Sequence, residues 1–360
     1  AAFKPSRVKT VPAQDSNGLV GIDAVWPAAI GDDFGIWRQR RKNSIQLRQS
    51  NIARPGMDRR RIRPKVCARQ SGMLLFMFEA FLSAEPIIRL TAFLGVLVAM
   101  ALWEVAAPRR RREISRVIRW SNNLALVAVD TIILRLSFPI VAVGLAVMAE
   151  ERGWGFFNNF ALPVWVAIAA SMLLLELAIY LQHVMFHAVP GLWWLHRMHH
   201  ADLDFDATTG LRFHPIEILI LMGIKLAVVA ALGPPAVAVL LFEVVLNATA
   251  MFNHANINLP RPVDQILGLF VVTPNMHRVH HSVAPRETNS NYGFNLSWWD
   301  HLLGTYVAQH AKVHEGMETG IEQFRTRRDL WLDRMLIQQV RGPASGGALD
   351  PKVTTKEPVD

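Results

Sequence analysis

Eight histidines recur at short, regular spacings in the second half of the sequence, and imidazole is a common metal ligand. All 13 histidines of the chain lie between His183 and His314, and none precedes them. Residues three or four apart lie on the same face of a helix, so closely spaced histidines predict adjacent imidazole rings. The eight form three such clusters: His183 and His187; His196, His199 and His200; His277, His280 and His281.

So many imidazoles would repel one another if protonated and would be costly to bury without partners. A metal ion resolves both problems because it binds the neutral ring. Eight nitrogen ligands exceed what one ion accommodates, so the three clusters predict two ions. Ligand type alone leaves iron, zinc, copper and nickel open.

The elements that must position these histidines are apolar helices. Of the 360 residues, 51% are hydrophobic and only 19% are charged. Gly233-Pro234-Pro235 separates the last two apolar runs, which predicts a helical hairpin there. The sequence therefore predicts an all-α, polytopic integral membrane protein with about four transmembrane helices, the hairpin included. The apolar runs lie at about 87–107, 124–148, 162–181, 216–232 and 236–251.

A run of arginines, Arg109–Arg112, follows the first apolar run and predicts that this end is cytoplasmic. If the second run crosses the membrane outward and the third crosses back, His183 and His187 lie on the cytoplasmic side. The hairpin then crosses outward and back, which places His254 and the last cluster on the same side. The sequence therefore predicts a histidine-rich helical cap on the cytosolic face.

Composition divides the rest of the chain. Residues 1–72 are rich in Arg, Gln, Ser and Asn without periodicity, which predicts a disordered basic N-terminal extension. The sequence begins with Ala and not with Met. The alternative is therefore that translation starts at Met73 and that the start of the gene was mis-annotated. We expect a membrane domain with the dimetal site over 73–314, a soluble helical segment over 315–341 and a disordered tail over 342–360.

The net charge of +9 arises largely from residues 1–72 and from Arg109–Arg112. No basic stretch of the sequence is interleaved with aromatic residues that could stack on bases. The charge therefore indicates contact with a membrane surface and no nucleic-acid partner. The single cysteine, Cys67, excludes an internal disulfide and a cysteine-based metal site.

These motifs resemble the fatty acid hydroxylase / sterol desaturase superfamily of membrane histidine-rich diiron oxygenases, in particular its bacterial sterol desaturase-like branch. The resemblance extends over roughly residues 94–307. Beyond the three clusters it includes Arg212-x-His214-Pro-x-Glu217, His254-Ala-Asn256, Asn291-Tyr292-Gly293 and Trp299-Asp300-x-x-x-Gly304-Thr305. Many relatives carry Asp where this chain has Glu176, and Arg where it has Val184.

The resemblance implies a dinuclear non-haem iron centre in the cytosolic cap, with zinc as an occupant of the isolated protein. It implies that O2 and external electrons serve to hydroxylate or desaturate a C–H bond of a lipid, such as a sterol or fatty acyl chain. His214 and Asp300 become candidate catalytic or orienting residues. The implied metal ligands are His183, His187, His196, His199, His200, His254, His277, His280 and His281.

The resemblance also implies partners and a location. Because the chain has no flavin-binding, haem-binding or cysteine-cluster motif, electrons must come from a separate donor. A ferredoxin, a cytochrome b5-type protein or a flavin reductase fits this role. The expected location is a bacterial inner membrane, with the metal site facing the cytoplasm.

A metal-binding or metal-transporting membrane protein without oxygenase activity is the alternative, as is a zinc-loaded, redox-silent relative. Transporters place their ligands near the bilayer midplane on broken helices. Here the histidines lie at helix ends, which disfavours transport. The sequence leaves open which lipid is the substrate, and whether it is hydroxylated or desaturated.

Replacing His199 or His280 with Ala is expected to remove bound metal and activity together, because each supplies a ligand nitrogen. Replacing His310 or His314 should change neither, since this pair lies in a polar segment outside the motifs. Metal analysis of the purified variants decides the matter. If His310→Ala lost metal as His199→Ala does, the ligand assignment would be wrong.

Overall fold

The computed structural model describes residues 80–308 and 317–341. These belong to one compact unit, residues 75–360. The predicted extension at 1–72, the predicted tail at 342–360, and His310 and His314 lie outside the described residues. In the described ranges the regular structure is helical, with isolated β-bridges and no strand.

The helices of the described chain are α1 Glu85–Ala106, α2 Arg116–Ser137, α3 Ala142–Arg152, α4 Val164–Ala188, α5 Pro190–His200, α6 Pro215–Leu232, α7 Ala236–Asn253, α8 Arg261–Gly268, α9 Pro274–His280, α10 Pro285–Thr288, α11 Trp298–Leu303 and α12 Leu332–Leu336. Short 3-10 turns lie at Phe156–Asn158, Thr209–Leu211, Arg327–Leu330 and Gln338–Val340.

Five segments of the described chain are long and apolar enough to cross a membrane, which confirms the predicted all-α, multi-pass fold. The predicted hairpin, α6 and α7, supplies two of the five. The run predicted at 124–148 begins earlier and is interrupted after Ser137, where Pro139 lacks the amide hydrogen that a continuous helix needs. The candidate spans are Glu85–Ala106, Arg116–Asn158, Val164–Ala188, Pro215–Leu232 and Ala236–Asn253.

One end of the bundle is closed by a glycine contact. Gly233 ends α6 in the left-handed region, at φ 59°, and Pro234 and Pro235 then prevent the helix from continuing. The backbone of Gly155 lies directly against Gly233, with no room for a Cβ at either position. This contact fixes the hairpin turn against the loop between α3 and α4.

The opposite end of the bundle carries the histidines and the arginine run. The Asn258 amide donates to the Ala107 carbonyl at 2.9 Å, and the Arg109 amide donates to the Asn256 carbonyl at 3.1 Å. These bonds join the end of α1 to the chain that follows His254. The arginines and the histidine clusters therefore share one end of the bundle, as the sequence predicted.

A buried arginine holds the cap on α2. The Arg119 guanidinium donates to the Asp202 carboxylate at 3.0 and 2.7 Å, to Thr209 Oγ1 at 2.9 Å and to the Asp206 carboxylate. Arg119, Asp202 and Asp206 are almost completely buried. The loop that follows α5 is therefore fixed to the first turns of a spanning helix.

The segment after the cap differs from the soluble helix predicted for 315–341. Its described part, 317–341, forms short helical turns that lie across the cap. Met335 packs against Leu126 and Met198, and the Gly320 amide donates to the His281 carbonyl at 3.2 Å. The apolar positions that suggested an amphipathic helix are thus used for packing on the cap.

Replacing Arg119 with Met is expected to lower the free energy of unfolding by about 3–5 kcal/mol, because two buried carboxylates lose their partner. Arg135→Met in the same helix is the matched control, since Arg135 is exposed. Denaturant unfolding of both variants in one detergent provides the measurement. Equal midpoints for the two variants would show that the buried network does not stabilise the cap.

Candidate metal centre

A sharp turn brings the first two histidine clusters together. His183 and His187 lie in the last turns of α4, Val189 is extended, and Pro190 begins α5. Proline is favoured at the first position of a helix, where no amide hydrogen is required. The chain therefore folds back, and the rings of His187 and His200 have centroids 4.8 Å apart.

The remaining histidines come from the other side of the cap. His254 is the C-cap residue of α7, and His277 and His280 lie on α9 with His281 as its C-cap. Thr273 caps the start of α9, its hydroxyl accepting from the Met276 amide at 3.3 Å. The fold thus places the C-terminal ends of α7 and α9 against the histidines of α4 and α5.

In the described chain, two groups of buried histidines have ligand atoms within 4.8 Å of one another. The groups cut across the sequence clusters. In each His-x-x-His-His motif, the first and last residues are about 40° apart around the helix and join one group, while the middle one is about 60° to the other side and joins the other. The first group is His183, His187, His196, His200 and His280; the second is His199, His254, His277 and His281.

The second group has the geometry of ligands around one ion. His254 Nε2 lies 3.0 Å from His277 Nε2 and 3.2 Å from the Nε2 atoms of His199 and His281. Because His254 Nδ1 faces two acceptors, the Ala250 carbonyl at 2.7 Å and the Asn253 side-chain oxygen at 2.6 Å, it carries the proton. Its Nε2 therefore holds a lone pair and cannot donate to three neighbours. Nitrogens bound at about 2.0–2.1 Å to one ion lie at about this separation.

In the first group, hydrogen bonds turn the ligand nitrogens inward. His183 Nδ1 donates to the Tyr292 carbonyl at 2.7 Å and His280 Nδ1 to the Ser290 carbonyl at 2.7 Å. The Nε2 atoms of His183, His196 and His280 are buried without a hydrogen-bond partner. Buried polar atoms are rarely left unpaired. The donor set therefore fits a cation in each group.

Burial also sets the protonation state of these rings. It lowers the pKa of His196 and of His254 to about 3. The pKa values of His199, His277 and His280 are likewise lowered by burial, and neighbouring histidines add to the effect. The rings are thus neutral near pH 7, the form that binds metal.

Glu217 is a site residue to which the sequence analysis gave no role. Its carboxylate oxygen accepts from His196 Nδ1 at 2.6 Å, and both side chains are buried. A carboxylate in this position fixes the tautomer of a metal-binding imidazole and increases its basicity. The motif Arg212-x-His214-Pro-x-Glu217 contained the signal.

His214, the predicted catalytic residue of the same motif, lies outside both groups. Its Nδ1 accepts from the Ile216 amide at 3.2 Å, so it caps the start of α6. Its Nε2 lies 3.4 Å from the Leu336 carbonyl. These contacts indicate a structural role.

Asp300 acts on the site through a loop. Its carboxylate accepts from the amides of Tyr292 and Gly293, at 2.7 and 2.8 Å, and from Thr305 Oγ1 at 2.7 Å. A Cβ at Gly293 would lie 2.6 Å from that carboxylate, so glycine is required there. The loop so held carries the Tyr292 carbonyl that orients His183.

Glu176 stands where many relatives have Asp. It lies on α4 and holds the part of the same loop that follows Phe294. It accepts from the amides of Asn295 and Leu296 at 2.8 and 3.0 Å.

Aromatic rings close the site. Phe213 stacks on His199, and Phe205 stacks on His254; the ring centroids are 4.8 and 5.4 Å apart, respectively. Trp193 is buried against His187 at 4.9 Å. These rings exclude water from the ligand nitrogens.

This combination of a spanning helical bundle and a buried histidine cap has a known family counterpart. Residues 168–305 match the family model described as fatty acid hydroxylase. This match confirms the resemblance found in the sequence.

Curated relatives of that family are lipid oxygenases by name. The chain is 30% identical over 171 residues to ornithine lipid hydroxylase OlsE of Rhizobium tropici, covering 47% of this chain and 50% of the relative. It is 30% identical over 174 residues to alkylglycerol monooxygenase of Homo sapiens, covering 48% of this chain and 38% of the relative. The chain thus spans half or less of the length of these relatives. No solved structure matches it significantly.

Replacing Glu217 with Gln is expected to weaken metal binding about 10–100-fold, because the His196 ring loses its charged partner. The control is His214→Asn, which keeps a favoured helix-capping residue and should leave affinity unchanged. Competition with a metal chelator measures both variants. A metal affinity for Glu217→Gln equal to that of His214→Asn would remove Glu217 from the site.

Proposed function

We propose that this protein is a membrane-bound, dinuclear non-haem iron oxygenase that hydroxylates a C–H bond of a membrane lipid. The observation that carries the proposal is the pair of adjacent, buried groups of neutral imidazoles at one end of the spanning helices. Two relatives are named as a lipid hydroxylase and a monooxygenase, which favours hydroxylation over desaturation.

Iron is proposed because oxidation of an unactivated C–H bond by O2 requires a redox-active metal, and zinc has no redox chemistry. Two bound iron ions would supply the reduction of O2 by two external electrons and two protons, yielding a hydroxylated lipid and water. Zinc in an isolated sample would then be an inactive substitute. His183, His187, His196, His200 and His280 would hold one ion, with the second held by His199, His254, His277 and His281.

The chain itself contributes orientation and charge. The backbone carbonyls of Tyr292, Ser290 and Ala250 fix the tautomers of three ligand rings. With both ions bound, an ionised Glu217 carboxylate would place a negative charge beside His196 and so offset part of the metal charge.

The substrate would reach the site beside Phe294. Phe294 is only partly buried. Its ring centroid lies 5.7 Å from that of His183 and 6.3 Å from that of His277, so Phe294 lies beside one ligand ring of each histidine group. His183, at 5%, is the most exposed of the nine proposed ligands. We infer that an acyl chain approaches here, between α4 and α7.

The arginine run at the histidine end supports a cytoplasmic position for the cap, in a bacterial inner membrane. A soluble or membrane-bound donor, such as a ferredoxin, a cytochrome b5-type protein or a flavin reductase, would deliver electrons to that face.

The test is lipid oxidation by the iron-loaded protein in nanodiscs that contain ornithine lipids or alkylglycerols. The expected result is incorporation of one atom from isotopically labelled O2 into the lipid, dependent on reductant. A fully metallated protein that oxidises no lipid with any donor would overturn the proposal. Metal flux into proteoliposomes would then establish the transport alternative.

Replacing Phe294 with Trp is expected to lower kcat/KM for the lipid on the order of 10–100-fold, because the larger ring displaces the acyl chain from the metals. Metal content should not change. Phe160→Trp is the matched control, since Phe160 is exposed at the other end of the bundle. Equal kinetics of the two variants would place the substrate route elsewhere.

A further inference from the structure

An exposed apolar surface lies on the cap, outside the metal centre. It is formed by α8, by its C-cap residue Leu269 and the next residue Phe270, and by α11. None of the eight residues of α8 is buried. We call this surface the apolar ledge: Val263, Ile266, Leu269, Phe270, Trp298 and Leu302, which are 42–73% exposed. Large apolar side chains grouped in this way mark an interaction surface.

The two parts of the ledge are joined by hydrogen bonds. Trp298 Nε1 donates to the Leu269 carbonyl at 2.9 Å. The Val272 amide donates to the Asn295 carbonyl at 3.0 Å, and an antiparallel bridge joins Val271 to Leu296. These bonds attach both parts of the ledge to the loop that contains Asn295.

Two spanning helices independently fix the depth of that loop. Glu176 of α4 accepts from the Asn295 amide, and it precedes the ligand His183 by seven residues, about 10 Å along the helix. The Thr249 hydroxyl of α7 donates to the Asn295 side chain, and it precedes His254 by five residues, about 7–8 Å. Both distances place Asn295, to whose loop the ledge is joined, closer to the membrane centre than the ligands His183 and His254.

Positive charge borders the ledge. The chain leading into α8 pairs with the end of α1, where the Arg109 guanidinium donates to the Asn258 side chain at 3.2 Å. Arg110–Arg112 and Arg261, the first residue of α8, lie beside this junction in sequence. Arginines at the edge of an apolar surface suit the anionic phosphates of a lipid leaflet.

We propose that the apolar ledge is inserted into the lipid leaflet on the histidine side of the membrane. Its apolar side chains contact acyl chains, and the neighbouring arginines contact anionic headgroups, as in an interfacial amphipathic helix. The end of α1 pairs with the chain that leads into α8, and Val98 and Leu102 of α1 are likewise exposed apolar residues.

The insertion has a consequence that rests on the proposed function. Phe294 directly precedes Asn295, so the route beside it opens among acyl chains and not into water. A lipid could then enter the site without leaving the bilayer.

The experiment places a nitroxide spin label at Ile266→Cys or Leu302→Cys in a Cys67→Ser background, in vesicles of phosphatidylglycerol and phosphatidylcholine. Collision with O2 and with a water-soluble nickel chelate measures the depth of each label. Val98→Cys on a spanning helix is the lipid reference, and Arg286→Cys, at an exposed position of α10, is the water reference. Labels at both ledge positions should favour O2, as at Val98. The two positions lie on separate helices, so a folding failure of one variant leaves the other decisive.

Labels as accessible to the chelate as the one at Arg286 would overturn the proposal. Shielding that arises only when a redox partner is added would identify the ledge as a protein-docking surface, which also overturns it. The readout needs neither iron nor activity, so it is independent of the oxygenase proposal.

Discussion

Nine buried imidazoles converge on two small volumes, and the rest of the structure depends on that convergence. Without cations, the lone pairs would face one another in a space from which water is excluded, a costly arrangement. Protonation offers no relief, because burial lowers the pKa of the rings, as at His196 and His254. Bound metal ions are the arrangement under which this packing is favourable.

The scaffold meets this requirement by bringing helix ends together at one end of the bundle. His183 and His187 end α4, His254 ends α7, and α5 and α9 add the paired motifs. Each motif divides its histidines between the two groups, so both helices contribute to both proposed ions. Displacement of either helix would disturb the whole centre. This explains why buried contacts such as those of Arg119 and Asp300 support the loops around it.

The histidine spacing and the apolar runs were enough to predict the fold class, the shared end of the bundle and the meeting of the three histidine clusters, whereas His254 joined the expected ligands through the family resemblance. They could not predict how the histidines divide, because the division depends on the angle at which α5 and α9 meet. Nor could they assign roles within one motif: His214 caps a helix, whereas Glu217 contacts a ligand ring. The depth of the ledge was equally hidden, since it depends on long-range bonds from Glu176 and Thr249 to Asn295.

The most direct test of the central claim is the metal-to-protein ratio after anaerobic loading with ferrous iron and removal of loosely bound metal. The two histidine groups predict two ions per chain, each with nitrogen ligands at about 2.0–2.2 Å by X-ray absorption. A ratio of one or less, or a coordination shell dominated by carboxylate oxygen, would contradict the account.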